Sequence, residues 1–381
     1  MAEIAKIPSF DLTRNYVRVK EEVNVAVRRV LDTQHFILGP EVEALERELA
    51  SYLEVKNTIG CASGTDSLIL AMMTLNLEPG DEVITTPFTF FATASCITRN
   101  GGTPVFADVD PFTYNIKSEE VLSKLTPRTR AVLPVHLFGQ MCPLEEIKDE
   151  LKSRGVVLIE DCAQSIGAHR MIEGRVARSG SVGDMGCFSF FPTKNLGCYG
   201  DGGLVSVACD EDLASRIKRL RVHGAGDTYF HEEVGINSRL DALQAAILRV
   251  RLRHLEGWNE ERRIVAERYA ELFAENDLLE SVTLPAEAKG GFHVFHQYVV
   301  RAKRRDELQK FLAARGVTTR VYYPLPLHLQ HCFSYLGYKK GDFPVAEMLA
   351  DEVLALPMFP ELLPEEQQCV VSEIADFYRG A

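Results

Sequence analysis

Gly186-Cys-Phe-Ser-Phe-Phe-Pro-Thr-Lys194-Asn-Leu-Gly-Cys-Tyr-Gly-Asp-Gly-Gly203 joins three unlike pieces in eighteen positions. Its aromatic and apolar start reads as a buried strand, and its glycine-rich end lets backbone approach a ligand or another chain closely. Lys194 is the only basic residue between them. A lysine in such surroundings loses hydration, which favours the neutral, nucleophilic amine. Taken alone, a lysine after Pro-Thr is more often a surface turn residue. The rest of the chain has to decide.

Outward from this stretch the chain alternates strand and helix patterns. Strands are expected at 82–86, 104–108, 131–136, 156–160, 185–191 and 203–208. Near-continuous apolar runs such as Val156-Val-Leu-Ile159 are those of a sheet covered on both faces. The connections are long enough for crossover helices, so the sheet is expected to be largely parallel. Upstream, an arm leads into a helix carrying Val23, Val27 and Val30. Pro40 then opens a helix with Val42, Leu45, Leu49 and Leu53 on one face. From Arg239 to Glu267 the pattern is one long, charge-laced helix. Residues 1–250 are thus expected to form a large domain and 251–381 a smaller C-terminal one. In the latter, strands are expected at Val294–Val300 and Thr318–Tyr323, and helices at Arg305–Ala314 and over the last residues.

Composition excludes several classes. With 46% hydrophobic and 25% charged residues, the 381-residue chain is neither disordered nor collagen-like. A net charge of -12 argues against non-specific binding of nucleic acid. Nine scattered cysteines without C-x-x-C spacing read as reduced thiols of a cytoplasmic protein. No apolar run reaches membrane-spanning length, and the first residues lack a signal-peptide core.

Several short motifs could carry chemistry. Gly64-Thr65-Asp66-Ser67 opens a helix whose free N–H groups suit a phosphate, although such residues are also ordinary N-caps. Asp161 ends an apolar strand, where α/β sheets collect ligands, with Gln164 three residues on. Phe90 could stack on a flat ring or belong to the core. Asn237 and Arg239 precede the long helix. His328 and His331 lie in a proline-rich loop without carboxylate or cysteine neighbours in sequence, so no metal site is expected. There is no Walker A motif and no G-x-G-x-x-G.

Seven motifs stand in register: Phe36-Ile-Leu-Gly-Pro-Glu-Val, Ser63-Gly-Thr, Thr86-Pro-Phe-Thr-Phe, Glu160-Asp-Cys-Ala-Gln, Ser189-Phe-Phe-Pro-Thr-Lys, Gly200-Asp-Gly-Gly and Asn237-Ser-Arg-Leu-Asp. Together they make nearly the whole chain resemble the DegT/DnrJ/EryC1/StrS family of nucleotide-sugar aminotransferases. The resemblance implies the α/β fold of fold-type I pyridoxal-phosphate enzymes (a mixed seven-stranded sheet with a small C-terminal domain) and a homodimer. It implies that Lys194 bonds the aldehyde of pyridoxal 5'-phosphate, Asp161 pairs with the ring nitrogen, Gln164 lies near the ring hydroxyl and Phe90 stacks on the ring. Gly64, Thr65 and Ser189 would hold the phosphate, with Asn237 coming from the partner subunit. Arg239, Tyr322 and His328 match positions near the sugar nucleotide. L-glutamate would supply nitrogen through pyridoxamine phosphate to a keto-sugar linked to UDP or dTDP. The segment after Lys194 is similar to members that aminate C3, with C4 amination the alternative. A sugar-dehydrating branch carries histidine where this chain has Lys194. Two readings remain beside it: a non-catalytic regulator on the same fold, and a cofactor-free lysine aldolase, in which the Gly64-Thr65 and Asp161 motifs have no role.

Overall fold

The computed structural model describes residues 6–227 and 229–380. At its centre is a seven-stranded sheet in the order Asn57–Cys61, Gly203–Val207, Met185–Ser189, Val157–Asp161, Thr129–Leu133, Glu82–Thr85, Thr103–Phe106. Gly203–Val207 runs antiparallel to both of its neighbours, and the other contacts are parallel. This is the mixed, mostly parallel sheet that the resemblance implied. The expected strands are present, with ends shifted by no more than three residues.

Burial on both faces explains the unbroken apolar runs. Ile59, Val83, Leu133, Ile159, Cys187 and Val205 pack under the helices Gly64–Thr74 and Glu211–Leu220. Ile84, Val132 and Leu158 fill a second layer on the other side. The helix Pro40–Leu53 forms as its spacing predicts: proline at its start, Glu41 and Glu43 in the first turn, and Val42, Leu45, Leu49 and Leu53 no more than 1% exposed. In the preceding helix, Leu12–Thr33, Asp11 caps the Thr13 N–H at 2.8 Å. Its Val19, Val23 and Val30 pack on Ala246, Ile247 and Val250.

The single helix expected from Arg239 to Glu267 is two, Ala242–Leu252 and Leu255–Glu275. At the break, Arg253 and His254 donate their backbone N–H groups to Val250 and Arg251, three residues back. Both side chains bind Glu22 of the first long helix, at 2.7 and 2.9 Å. Periodicity hid the break because Leu252 and Leu255 keep the apolar spacing across it. The proposed boundary at 250/251 falls within the first of these helices.

A second core gathers Tyr269, Phe273, Val300, Leu308, Leu354, Val370 and Ile374. Its antiparallel sheet joins Val282–Thr283, Tyr298–Ala302 and Val353–Leu356. The helices Arg305–Ala314 and Pro364–Arg379 accompany it. The expected strand at 294–300 is displaced to Tyr298–Ala302, and Gly291–Phe292 just before it pairs with the strand His169–Ile172. The expected strand at 318–323 is reduced to a single bridge from Arg320 to Ala355. Among the described residues no helix is long and apolar enough to cross a membrane.

Leu49 is fully enclosed between its helix and the sheet layer. Truncation to alanine should cost about 2–5 kcal/mol, read as a lower urea midpoint at an unchanged slope.

Candidate active site

At the carboxyl ends of the parallel strands lies a cavity of about 430 Å³. Its wall includes Gly64, Thr65, Phe90, Asp161, Gln164, Ser189, Lys194 and Tyr322, eight of the eleven positions singled out from sequence. That volume falls in the range of small-molecule sites.

The helix Gly64–Thr74 aims its N-terminus at this space. Ser63 Oγ accepts the Asp66 N–H at 3.1 Å and caps it. Glycine at 64 is a packing requirement: a Cβ there would lie 2.5 Å from Ser189 Cβ. Gly203 is constrained in the same way, since a Cβ would meet the Ser63 carbonyl oxygen at 2.2 Å. The glycines thus bring the Ser189 hydroxyl against uncapped helix N–H groups, a cradle for an anion.

Strand alternation separates two adjacent acids. Glu160 turns away from the cavity and accepts N–H groups of Gly180, Val182 and Gly183 while bonding His136 Nε2 at 2.7 Å. Burial opposes its charge, but His136 and those amides hold the carboxyl below its usual range. With Cys162, these two residues form a compact, fully buried group. Asp161 turns into the cavity. Its Oδ2 accepts from Thr93 Oγ1 at 2.8 Å and its Oδ1 from the Ala163 N–H at 3.2 Å. Burial raises its pKa, opposed by the Thr93 bond and the nearby charge of Lys194.

Lys194 is only part-buried by surface because it lines the cavity, yet the protein packed round its amine dominates its titration. Burial lowers its pKa to about 8, against the pull of Asp161. Gln164 is held at both ends: Oε1 accepts the Phe138 N–H at 2.8 Å, and Nε2 donates to Tyr323 at 3.1 Å. Phe90, 58% exposed, stands at the rim with its ring tilted 42° to that of Tyr323.

Three expected positions are not brought to this cavity. Asn237 is exposed and Arg239 half-buried, on a segment tied to the helix start by Ser238 Oγ, which donates to Asp66 at 2.7 Å. His328 is 1% exposed, with Nε2 bonded to Glu347 at 3.0 Å and its ring edge-on to Phe343. The proline-rich loop folds it inward, which its polar character concealed. Sequence reasoning missed Thr93, His296, Gln297 and Tyr323, all in the wall. Thr93 was legible, lying three residues beyond Phe90. His296 and Gln297 arrive from a distant segment without local signature.

A pKa lowered to about 8 leaves a sizeable neutral, nucleophilic fraction of Lys194 near neutral pH. Labelling of the cofactor-free protein by an amine reagent, followed by peptide mapping, should show its modification rising with a midpoint near pH 8, below the usual lysine value of ~10.4.

Residues 17–375 match the family described as the DegT/DnrJ/EryC1/StrS aminotransferase family. A protein of Geobacillus stearothermophilus named "Pleiotropic regulatory protein" is 49% identical over 98% of this chain and 99% of its own. The UDP-N-acetyl-3-dehydro-alpha-D-glucosamine 3-aminotransferase of Acidithiobacillus ferrooxidans is 44% identical over 96% of each chain. The crystal structure of S. venezuelae DesV in complex with a ketimine intermediate superposes with a TM-score of 0.92, at 39% identity and 98% coverage of both chains. The seven-stranded sheet is that of the fold-type I α/β architecture, and the family's aminotransferases depend on pyridoxal phosphate. With the motif set, the sheet and these likenesses in agreement, the chain belongs to the DegT/DnrJ/EryC1/StrS aminotransferase family.

Proposed function

We propose that this protein moves an amino group from L-glutamate to the C3 keto carbon of a hexose linked to UDP or dTDP. The observation that carries this reading is the meeting, in one cavity, of a lysine amine, a buried carboxylate and a free helix N-terminus. Those groups fit pyridoxal phosphate. The cradle at Gly64, Thr65 and Ser189 suits a phosphate because Gly64 lets the Ser189 hydroxyl lie against the helix N-terminus. Asp161 offers a carboxylate to a ring nitrogen, and Lys194 an amine to the aldehyde. Phe90 stands where a ring could stack, and Gln164 is anchored near it. When bound, the cofactor supplies an electron sink for the pair left when a Cα proton departs.

The remaining chemistry belongs to the chain. Lys194 Nζ would take the proton from the substrate Cα as base and deliver it to the cofactor side as acid, and a pKa near the working pH serves both roles. Asp161, aligned by Thr93 and the Ala163 N–H, keeps a negative charge opposite the ring nitrogen. The same assignment gives Arg239 and Tyr322 to the sugar nucleotide. It gives His328 to the same ligand, from the loop that Glu347 and Phe343 hold in place.

The protein acts as a homodimer in this reading, with Asn237 reaching the partner's site. Its exposure, and that of Phe90 and Phe191 at 58% and 50%, supports a covering second copy. The reading includes a cytoplasmic enzyme, a cofactor-holding part at 1–250 and a smaller part at 251–381. Its product serves amino-sugar synthesis for lipopolysaccharide, another surface glycan or a glycosylated metabolite. C3 is preferred to C4 because the relative from Acidithiobacillus is named for a 3-aminotransferase.

One observation favours a second reading, a ligand-binding regulator: the name of the Geobacillus relative. Retention of Lys194, Asp161 and the phosphate cradle favours catalysis. Protein mixed with pyridoxal phosphate should show a visible absorbance band that L-glutamate bleaches and UDP-N-acetyl-3-dehydro-glucosamine restores. Lys194→Ala should abolish the band and lower turnover by about 10²-fold or more. A band without glutamate-driven turnover would favour the regulator.

A further inference from the structure

His296 is 7% exposed and lines the cavity from the segment that precedes the strand Tyr298–Ala302. Its ring nitrogens can be told apart, because two backbone carbonyls orient the amides behind it. Asn259 Nδ2 donates to the Ile166 carbonyl at 3.2 Å, so its Oδ1 must be the acceptor facing Asn195. Asn195 Nδ2 donates to that Oδ1 at 2.8 Å and to the Val294 carbonyl at 3.1 Å. Its own Oδ1 is therefore the atom 3.1 Å from His296 Nδ1, and it can only accept. Nδ1 must carry a hydrogen. Burial, with the charges of Lys194 and Arg262, drives the imidazole well below its usual pKa, so the ring stays neutral and Nε2 is bare.

We propose that His296 is a specificity-determining residue: its Nδ1–H tautomer, imposed by Asn195, turns the bare Nε2 into the cavity to accept a hydrogen bond from an O–H or N–H group of the substrate. A lone pair there repels a carboxylate, a phosphate or a keto oxygen. It therefore selects the side of a substrate that bears a donor: a sugar hydroxyl, or the ammonium of the amino donor. Gln297 beside it lines the same wall, while its Oε1 is enclosed and has no hydrogen-bond partner among the described residues. Both residues also line a smaller annex of about 40 Å³ with Thr193, Arg320 and Tyr322. A site that hydrogen-bonds a substrate donor discriminates strongly, because the buried acceptor is left unpaired by the wrong ligand.

This inference rests on the aminotransferase reading for its substrates, but not for the tautomer. In full-length protein labelled with 15N at histidine, His296 should show a protonated Nδ1 and an unprotonated Nε2 across the neutral pH range. The two half-reactions, L-glutamate with the pyridoxal form and UDP-N-acetyl-3-dehydro-glucosamine with the pyridoxamine form, should be followed separately. His296→Phe should raise KM about ten- to a hundredfold in one of them. A defect in the sugar half-reaction assigns the donor to a hydroxyl, and one in the glutamate half-reaction assigns it to the ammonium. His296→Gln, which keeps an acceptor, should recover most of the loss. The proposal is overturned by a protonated Nε2 in the unaltered protein, by His296→Phe leaving both half-reactions unchanged, or by an equal loss in both. Should the phenylalanine variant not fold, the tautomer measurement and the glutamine variant decide. Absence of both half-reactions in the unaltered protein, with the tautomer as stated, would instead count against the aminotransferase reading.

Discussion

The cavity is organised by the cost of keeping opposite charges out of water. Lys194 and Asp161 sit in its wall, and burial pushes each toward its neutral form while each pulls the other back. The balance leaves an amine that exchanges its proton near neutral pH and a carboxylate that needs a cationic partner. Neither group would behave so at the surface, where water supports both charges. The sheet maintains this tension by supplying a rigid floor whose parallel strands open their carboxyl ends to one side.

Close backbone approach is the second constraint. Gly203 lets the antiparallel strand lie against the Ser63 carbonyl, and Gly64 lets the helix start lie against Ser189. Without these contacts the anion cradle and the lysine would belong to separate parts of the surface. The lysine loop is also secured from behind. Asn195, the next residue, ties it to Asn259 on the helix Leu255–Glu275 and to the backbone at Val294. Any displacement of that segment is therefore felt at Lys194.

A neighbouring acid pair shows how one strand serves two purposes. Glu160 and Asp161 occupy opposite faces of the strand. One is consumed by His136 and three loop amides, which pin the turn at 180–183. The other is left for the cavity, with two hydrogen bonds that aim it rather than neutralise it.

Local pattern alone determined the strands, the helix from Pro40 and the glycine-flanked lysine, because period, proline and glycine act within a few residues. Motif order extended this to the family and to eight wall positions. The helix break at Arg253–His254 was hidden, since Glu22 lies more than two hundred residues away in the chain. The inward turn of His328 depends on Glu347 and Phe343, and the tautomer of His296 depends on carbonyls at 166 and 294. Such features are set by which distant donor or acceptor happens to be adjacent. Only the packed chain decides that, because hydrogen-bond partners are chosen by distance in space and not along the sequence.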